Sequence, residues 1–280
     1  MTDPHAESPR RVPPGAGRVR ARCPFPGLLA MVAVAGCATP APDERLHSTL
    51  WVQTSAEYAV ITHQVFDMAR HQLDQILARG GDERPMALIV DVDETVLDNS
   101  GQTARSILAR RGFRQDDWTA WVNEASAPPV PGALDYLHHV ADRGLTVFYV
   151  TNRRAQLEPA TRRNLESRGF PLRQDMDVVL TRNERPEWTG DKSTRRQWIG
   201  ARFRIVQILG DDLEDFISIP PGTDADTRQR LARQHMDEWG RSWFILPNPV
   251  YGSWERALTP DGRSIFDSPM EQKFRRLETQ

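Results

Sequence analysis

Two carboxylates follow an apolar run near residue 90, and their spacing suits chemistry on a phosphoryl group. Residues 87–90 are apolar, Asp91 comes next, and Asp93 follows two positions later. Side chains alternate along an extended strand, so Asp91 and Asp93 would emerge on one side while Glu94 turns elsewhere. A carboxylate can attack phosphorus and form an aspartyl phosphate, which divides a difficult hydrolysis into two easier steps. We therefore predict Asp91 as a nucleophile and Asp93 as the acid and base that protonates the leaving alkoxide and then deprotonates water.

Donors for a phosphoryl group stand later in the chain. Thr151 and Asn152 follow a second apolar run, and Lys192 precedes a helical stretch. Their hydroxyl, amide and ammonium groups would stabilise the charged oxygens of a transferring phosphoryl group. Two alternatives stay open: the short acidic motif alone also fits a calcium-binding turn or a solvated loop, and Lys192 also fits an exposed lysine at a helix start. Arg153 would bind substrate or pair with a nearby acid.

Acids at 210–215 would join the first pair and require a cation. Carboxylates about 4 Å apart repel by roughly 4 kcal/mol at an effective dielectric near 20, so Asp91 and Asp211 cannot share a site uncompensated. Lys192 would offset part of this charge. Magnesium suits an all-oxygen site that retains several waters. The sequence therefore predicts a Mg²⁺ site.

Alternating strands and helices would position these residues. The pattern predicts a helical region at 48–79, as one long or two shorter helices, and then a parallel, doubly wound α/β sheet. In such a sheet the ligand crevice lies beyond the carboxyl ends of the strands. The predicted strands are 86–92, 146–151, 177–180, 204–209 and 243–246, and the predicted helices lie near 133–142, 158–168, 193–201 and 225–238.

A long connection after the first strand predicts a small helical cap. Residues 101–130 are too many for an ordinary loop between a strand and a helix. They would form two short helices, around Ile107 and at 118–122. We place the cap at about 97–130 within a domain that spans 48–280. Trp121 and Trp254 are expected to fill core space.

The overall composition narrows the classes of partner. The 280 residues carry a formal net charge of −2 and are 39% hydrophobic and 26% charged, as is typical of a globular domain. Since no segment concentrates basic residues, a polynucleotide partner is not expected. The two cysteines, Cys23 and Cys37, both precede residue 40, which excludes a disulfide framework or cysteine-based zinc site in the folded body.

The first residues have the layout of an export signal. Arginines precede a short apolar run at 27–36, so we expect residues 1–36 to be a signal peptide. The Val-Ala-Gly-Cys sequence at 34–37 resembles a bacterial lipobox, which implies lipidation of Cys37, residues 37–47 as a tether, and a lipid anchor at the outer membrane or periplasmic side. A free cysteine is the alternative. Because the region before Val19 is long and proline-rich, we hypothesise that translation starts near Val19 from a non-AUG codon.

Five motifs together resemble the haloacid dehalogenase superfamily and, within it, the class C acid phosphatases, which are bacterial outer-membrane lipoprotein nucleotidases. The resemblance covers roughly 48–255. The motifs are Asp-Glu-Thr-Val-Leu-Asp-Asn-Ser at 93–100, Asp-Trp-Thr-Ala-Trp at 117–121, Pro-Val-Pro-Gly-Ala at 129–133, Phe-Tyr-Val-Thr-Asn-Arg at 148–153 and Pro-Asn-Pro-Val-Tyr-Gly-Ser-Trp-Glu at 247–255.

This resemblance implies further roles. The metal ligands would be Asp91, the backbone carbonyl of Asp93, Asp211 and, through water, Asp215. Asp212 stands where relatives often carry Asn, and it would either tune metal affinity or face away. A base would stack between Trp118 and Tyr251, a mode that tolerates any nucleobase.

The expected activity is hydrolysis of small phosphomonoesters, with nucleoside monophosphates as substrates. Three alternatives remain: a sugar-phosphate phosphatase, a phosphotransferase that uses an alcohol acceptor, and a surface lipoprotein that binds without turnover. The presence of Asp93 argues against the non-catalytic lipoprotein, because a protein that only binds its ligand does not need an acid and base carboxylate beside a nucleophilic one. The sequence leaves the oligomeric state open, a homodimer included.

Overall fold

A computed structural model describes residues 43–80, 84–258, and the single positions 274, 276 and 277. The predicted signal peptide, Cys37 and most of the predicted tether lie outside these residues. Within the described part of the chain, no helix combines the length and the apolar character needed to cross a membrane.

A five-stranded parallel sheet forms the centre of the described fold. Its first strand, β1, is short, apolar and buried along most of its length, as is typical of a parallel sheet covered on both faces. The strands are β1 (Met86–Val90), β2 (Thr146–Arg154), β3 (Val179–Arg182), β4 (Arg204–Gly210) and β5 (Trp243–Ile245), in the spatial order β3-β2-β1-β4-β5. The chain builds outward from β1 in one direction and then in the other. Because such crossovers are right-handed, this reversal places helices on both faces, and the predicted doubly wound α/β fold is confirmed.

Helices connect and cover the strands. The helical region before β1 divides at Ser55, whose hydroxyl accepts a hydrogen bond from the Tyr58 N–H (3.1 Å) and caps the second helix. The helices are α1 (Arg45–Thr54), α2 (Ala56–Arg79), α3 (Ser100–Leu108), α4 (Gln115–Glu124), α5 (Ala133–Asp142), α6 (Glu158–Ser167), α7 (Ser193–Gly200), α8 (Ala225–Gln234) and α9 (Ser253–Arg256).

Buried polar contacts fix α2 and α5 against the sheet. The Tyr136 hydroxyl of α5 donates to the side-chain oxygen of Gln207 in β4, and the Gln207 amide donates to the Ala69 carbonyl of α2 (2.8 Å). All three residues are buried. Since buried polar groups are costly unless paired, these bonds specify the register of two helices against one strand.

The boundaries of several elements differ from the predicted ones, and β1, for example, ends at Val90 rather than at residue 92. The Asp177 carboxylate accepts a hydrogen bond from the Val179 N–H (3.1 Å), so this aspartate forms a turn and β3 begins two residues later than expected. Strand β2 continues to Arg154 because its pairing with β3 resumes there after an irregularity. Helix α8 ends at Gln234 rather than 238.

The two short helices of the predicted cap are α3 and α4. Trp121 of α4 is buried, as predicted, and its indole N–H donates to the Asn99 side-chain oxygen (2.8 Å). A Cβ atom at Gly101 would lie 2.8 Å from the Trp121 ring, so only glycine allows this contact. The prediction that Trp254 fills core space is wrong, because 39% of this residue is exposed.

Candidate active site

The carboxyl ends of three neighbouring strands bring the predicted residues together. Asp91 follows β1, and its N–H donates to the Leu209 carbonyl of β4 (3.0 Å), which fixes the turn after the strand. Thr151 lies in β2, and Asp211 follows β4. Lys192 comes immediately before α7 and is buried.

Lys192 joins two of the carboxylates. Its ammonium group contacts Asp91 and lies 2.6 Å from an Asp215 oxygen. The side chains of these three residues are at most 8% exposed. One oxygen each from Asp91, Asp211 and Asp215 lies within 4.8 Å of the others, a spacing that could hold a metal ion. Lys192 is therefore not an exposed lysine at a helix start.

Burial and mutual repulsion dominate the electrostatics of this cluster. Burial raises the pKa of Asp91 to about 7, although Lys192 acts in the opposite direction. Burial and the charges of Asp215 and Asp91 raise the pKa of Asp211 well above its usual range. Burial lowers the pKa of Lys192, but Asp215 and Asp91 outweigh this effect, so its net shift is upward. A lysine alone does not neutralise the carboxylates, and this is the environment in which a divalent cation binds.

Asp93 stands in a separate group of donors. One of its carboxylate oxygens accepts from Arg153 (2.8 and 2.9 Å) and from the Asn99 side-chain amide (2.9 Å). Its other oxygen faces the Thr151 hydroxyl at 3.4 Å. Arg153, which the sequence left between two roles, pairs with this acid.

Glu94, which was expected to turn elsewhere than Asp91 and Asp93, is buried. Its backbone has a φ of 58°, the left-handed region, and its carboxylate accepts from the Asn99 N–H (2.9 Å) and the Tyr251 hydroxyl. Burial and the charges of Asp93 and Asp211 raise the pKa of Glu94 well above its usual range. Glu94 thus connects the turn after β1 to the segment near Tyr251.

Two neutral side chains hold Asp211. The Thr95 hydroxyl donates to one of its carboxylate oxygens (3.0 Å), and the Asn248 amide donates to the other (2.8 Å). These contacts orient Asp211 toward Asp91 and Asp215 without adding charge.

Asp212 faces a different environment from its neighbour. Its carboxylate accepts from the N–H groups of Glu214 (3.0 Å) and Ser253 (2.6 Å), and Arg228 lies 3.4 Å away. It caps the 3-10 turn Leu213–Asp215. Of the two alternatives for Asp212, the structure favours the one in which it faces away from the group of Asp91, Asp211 and Asp215.

Thr151 and Asn152 are held by Arg195, a fully buried residue of α7. Its guanidinium group donates to the Thr151 carbonyl, the Asn152 side-chain oxygen (2.7 Å) and the Thr189 carbonyl (2.8 Å). The Asn152 amide in turn donates to the Gly190 carbonyl (3.0 Å). Asn152 is thus an exposed link between β2 and the loop that carries Lys192, while Thr151 lies buried at the site.

The two predicted stacking aromatics contact different residues near Asp93, Trp118 through Arg153 and Tyr251 through Glu94. Trp118 lies partly buried on the cap, with the Arg153 guanidinium 5.5 Å from its ring centre and the Phe113 ring centre 6.5 Å away. Tyr251 packs against a satellite core of Val52, Tyr58 and Val250.

Several residues of the site were missed from sequence. Asn99, Asn248 and Glu94 lie inside the motifs that carried the resemblance, so their positions were available as a signal. Arg195 lies in an ordinary helical stretch, and no local pattern indicates that it reaches across to β2.

Comparison with known proteins identifies the family. Residues 33–254 match the family described as HAD superfamily, subfamily IIIB (Acid phosphatase). This chain belongs to that acid phosphatase family. The match covers most of the chain and confirms the predicted superfamily.

Solved structures of the family share this fold. The class C acid phosphatase from Bacillus anthracis is 31% identical, with a TM-score of 0.76, and the match covers 85% of this chain and 98% of that one. A structure of the same enzyme with tungstate bound gives 31% identity and a TM-score of 0.76 over 86% and 99%. The predicted resemblance to class C acid phosphatases is confirmed.

A plant relative matches over a shorter stretch. Acid phosphatase 1 from Solanum lycopersicum is 28% identical over 175 residues, which is 61% of this chain and 60% of the relative. The chain therefore spans less than two thirds of that protein. At the level of the family, these matches support the predicted phosphoric monoester hydrolase.

Proposed function

We propose that this protein is a Mg²⁺-dependent phosphomonoester hydrolase that acts through an aspartyl phosphate on Asp91. The observation that carries the proposal is the convergence of Asp91, Asp211 and Asp215 at the carboxyl end of the sheet. Lys192 pairs with Asp91 and Asp215, and Asp93 is held separately by Arg153. Membership of an acid phosphatase family supports it.

The chemistry of the donor set fits Mg²⁺. Three carboxylates converge, their charge exceeds that of Lys192, and oxygen ligands are those that Mg²⁺ prefers. Asp91, Asp211 and Asp215 would hold the ion, together with the backbone carbonyl of Asp93. When bound, the cation supplies charge neutralisation for the acids and the phosphoryl oxygens.

Asp91 provides the nucleophilic oxygen. Its carboxylate attacks phosphorus, the ester P–O bond breaks, and the phosphoryl group remains on Asp91. Lys192 stands at the same carboxylate and offers an ammonium group to the phosphoryl oxygens. Thr151 and Asn152 would donate from the neighbouring strand end.

Asp93 moves the proton in both steps. It gives a proton to the departing alkoxide oxygen, and it then takes a proton from the water whose oxygen attacks the aspartyl phosphate. The bond between phosphorus and Asp91 breaks, inorganic phosphate leaves, and Asp91 returns to its carboxylate form. Its placement outside the Lys192 cluster suits this separate task.

Nucleoside monophosphates are the proposed substrates. Trp118 lies against Arg153, a partner of Asp93, and the Tyr251 hydroxyl donates to Glu94, so an aromatic leaving group near Asp93 could contact either ring. A base would stack between these two rings. Stacking of this kind does not distinguish one base from another.

The decisive experiment measures phosphate release with added Mg²⁺ and with a chelator. We expect activity with Mg²⁺, loss of activity on chelation, and recovery on re-addition. Asp91→Asn should abolish turnover while circular dichroism and melting show an intact fold. Asp175→Asn, which changes an exposed carboxylate, serves as the matched control and should retain activity. Near-normal turnover by Asp91→Asn would contradict the proposed nucleophile.

A substrate panel tests the finer proposal. Nucleoside 5′-monophosphates should be hydrolysed with higher kcat/KM than sugar phosphates of similar charge. A preference for sugar phosphates would contradict the role of the aromatic pair. Product analysis in added alcohol identifies phosphotransfer, because the alcohol would then carry the phosphoryl group.

A further inference from the structure

Arg153 directs its hydrogen bonds inward, away from any substrate. Its guanidinium group makes two contacts to one Asp93 oxygen (2.8 and 2.9 Å), one to the Thr161 hydroxyl (3.2 Å) and one to the Asn99 side-chain oxygen (3.4 Å). The side chain is 1% exposed. A guanidinium group bound in this way is a support for other residues and does not bind substrate.

One oxygen of the Asp93 carboxylate, Oδ1, makes the contacts that hold the group in place. Arg153 and the Asn99 amide both donate to the same Asp93 oxygen, so rotation of the carboxylate would break three contacts. Within the described residues, the second oxygen has only the long 3.4 Å contact to the Thr151 hydroxyl. This asymmetry leaves one oxygen free to carry the catalytic proton and fixes its direction.

We propose that Arg153 is a positioning residue, which sets the orientation of Asp93 toward the leaving-group oxygen. The inference rests on the proposed phosphomonoesterase activity and deepens it. Trp118 of the cap lies against the same guanidinium group, so Arg153 also connects the acid and base to the part of the cap that borders the leaving group. Proton transfer requires hydrogen-bond geometry. If Asp93 is misdirected, the rate should therefore fall mainly for substrates whose leaving group needs a proton.

The test compares two substrates of nearly equal size. The leaving group of 4-nitrophenyl phosphate departs without much help from an acid, whereas that of 4-nitrobenzyl phosphate is a basic alkoxide. The quantity measured is kcat/KM, which reports phosphoryl transfer to Asp91 and not the later hydrolysis step. In Arg153→Lys we expect kcat/KM to fall on the order of 10²-fold for the benzyl ester and much less for the phenyl ester.

A second background separates positioning from a general loss of structure. In Asp93→Asn the benzyl ester is already slow, so adding Arg153→Lys should leave the ratio of the two kcat/KM values unchanged. Arg45→Lys is the matched control, because Arg45 is also a buried arginine that pairs with an acid, Asp43 (2.7 Å). It should not alter the ratio.

The outcomes are distinct. An equal fall on both esters, or a further change of ratio in the Asp93→Asn background, would overturn the positioning role. If the unaltered protein hydrolyses neither ester, the proposed function itself fails. Should Arg153→Lys melt below the assay temperature, Thr161→Val replaces it, since it removes the hydroxyl on the other side of the guanidinium group. That variant should change the ratio in the same direction by a smaller factor, and no change would overturn the inference.

Discussion

Two buried cations pair with three carboxylates of the site, while Asp211 is held by neutral side chains. Lys192 forms ion pairs with Asp91 and Asp215, and Arg153 forms an ion pair with Asp93. Buried charges cost free energy unless they are paired, and the two pairings keep the proposed nucleophile and the proposed acid from sharing one counter-ion. The two carboxylates with different proposed roles, Asp91 and Asp93, therefore also contact different cations.

Asp212 provides a prediction at this scale, because its carboxylate caps a turn while its neighbour, Asp211, belongs to the proposed metal site. Asp212→Ala removes the cap and the partner of Ser253, which we expect to cost about 1–2 kcal/mol of stability. Asp212→Asn keeps an acceptor for the cap and should melt close to the unaltered protein. Thermal melting and a Mg²⁺ titration of activity measure both effects.

The same pair of variants separates capping from metal tuning. If the Asp212 charge tuned the metal, both variants would need a different Mg²⁺ concentration for half-maximal activity, to the same extent. We expect that concentration to stay nearly constant in both. A shared shift of tenfold would contradict the assignment of Asp212 to the turn.

At the scale of elements, the end of β4 and the following turn place Asp215. Gly210 is the last residue of β4, and a Cβ atom there would lie 2.6 Å from Cγ of Asp215. Contacts this close do not occur between unbonded carbon atoms, so the absence of a side chain at 210 is what lets Asp215 reach Lys192.

Gly210→Ala should therefore displace Asp215 without changing any charged residue. Loss of a supporting partner of a metal ligand typically costs 10–100-fold in metal affinity or activity, and we expect a weakening in about that range. Activity against Mg²⁺ concentration measures it. Gly200→Ala is the control, because its Cβ would meet Ile205 at an ordinary 3.5 Å. Equal behaviour of the two variants would argue against this role for Gly210.

The sequence predicts site residues well where they stand at the end of an apolar run that forms a strand. Asp91, Thr151 and Asp211 were found because each follows or ends an apolar run, and parallel strands bring such positions to one edge. The contacts that orient them come from other segments, as Arg195 and Asn248 illustrate. Contacts between side chains from distant segments leave no local sequence pattern. The sequence alone therefore does not decide whether Arg153 binds substrate or pairs with an acid.

The boundaries that were missed have a similar origin. An aspartate turn at Asp177 delays β3, and an irregular pairing extends β2 to Arg154. Hydrophobic periodicity does not detect either one, because both depend on a hydrogen bond or a neighbouring strand. The delayed start of β3 lies at the end of that strand away from the site, whereas the extension of β2 includes Asn152 and Arg153, which belong to the site.

At the scale of the whole molecule, the acid cluster should link stability to Mg²⁺ and to pH. Burial raises the pKa of Asp91 from its usual 3.8 to about 7 in the metal-free protein. Between these values the folded protein keeps a proton that the unfolded chain has lost. Stability then falls as pH rises through this window, because the unfolded state binds fewer protons.

Bound Mg²⁺ should reverse that loss, since it replaces the proton as the partner of Asp91. A ligand at 100 times its Kd stabilises the fold by about 2.7 kcal/mol, and at roughly 2–4 °C per kcal/mol the melting temperature should rise by about 5–10 °C. Because proton and metal compete, the rise should be larger at pH 8 than at pH 5. Calorimetric melting with Mg²⁺ and with a chelator at both pH values measures it. Asp91→Asn should reduce the rise at pH 8, and a rise that shrank with increasing pH would contradict metal binding at Asp91.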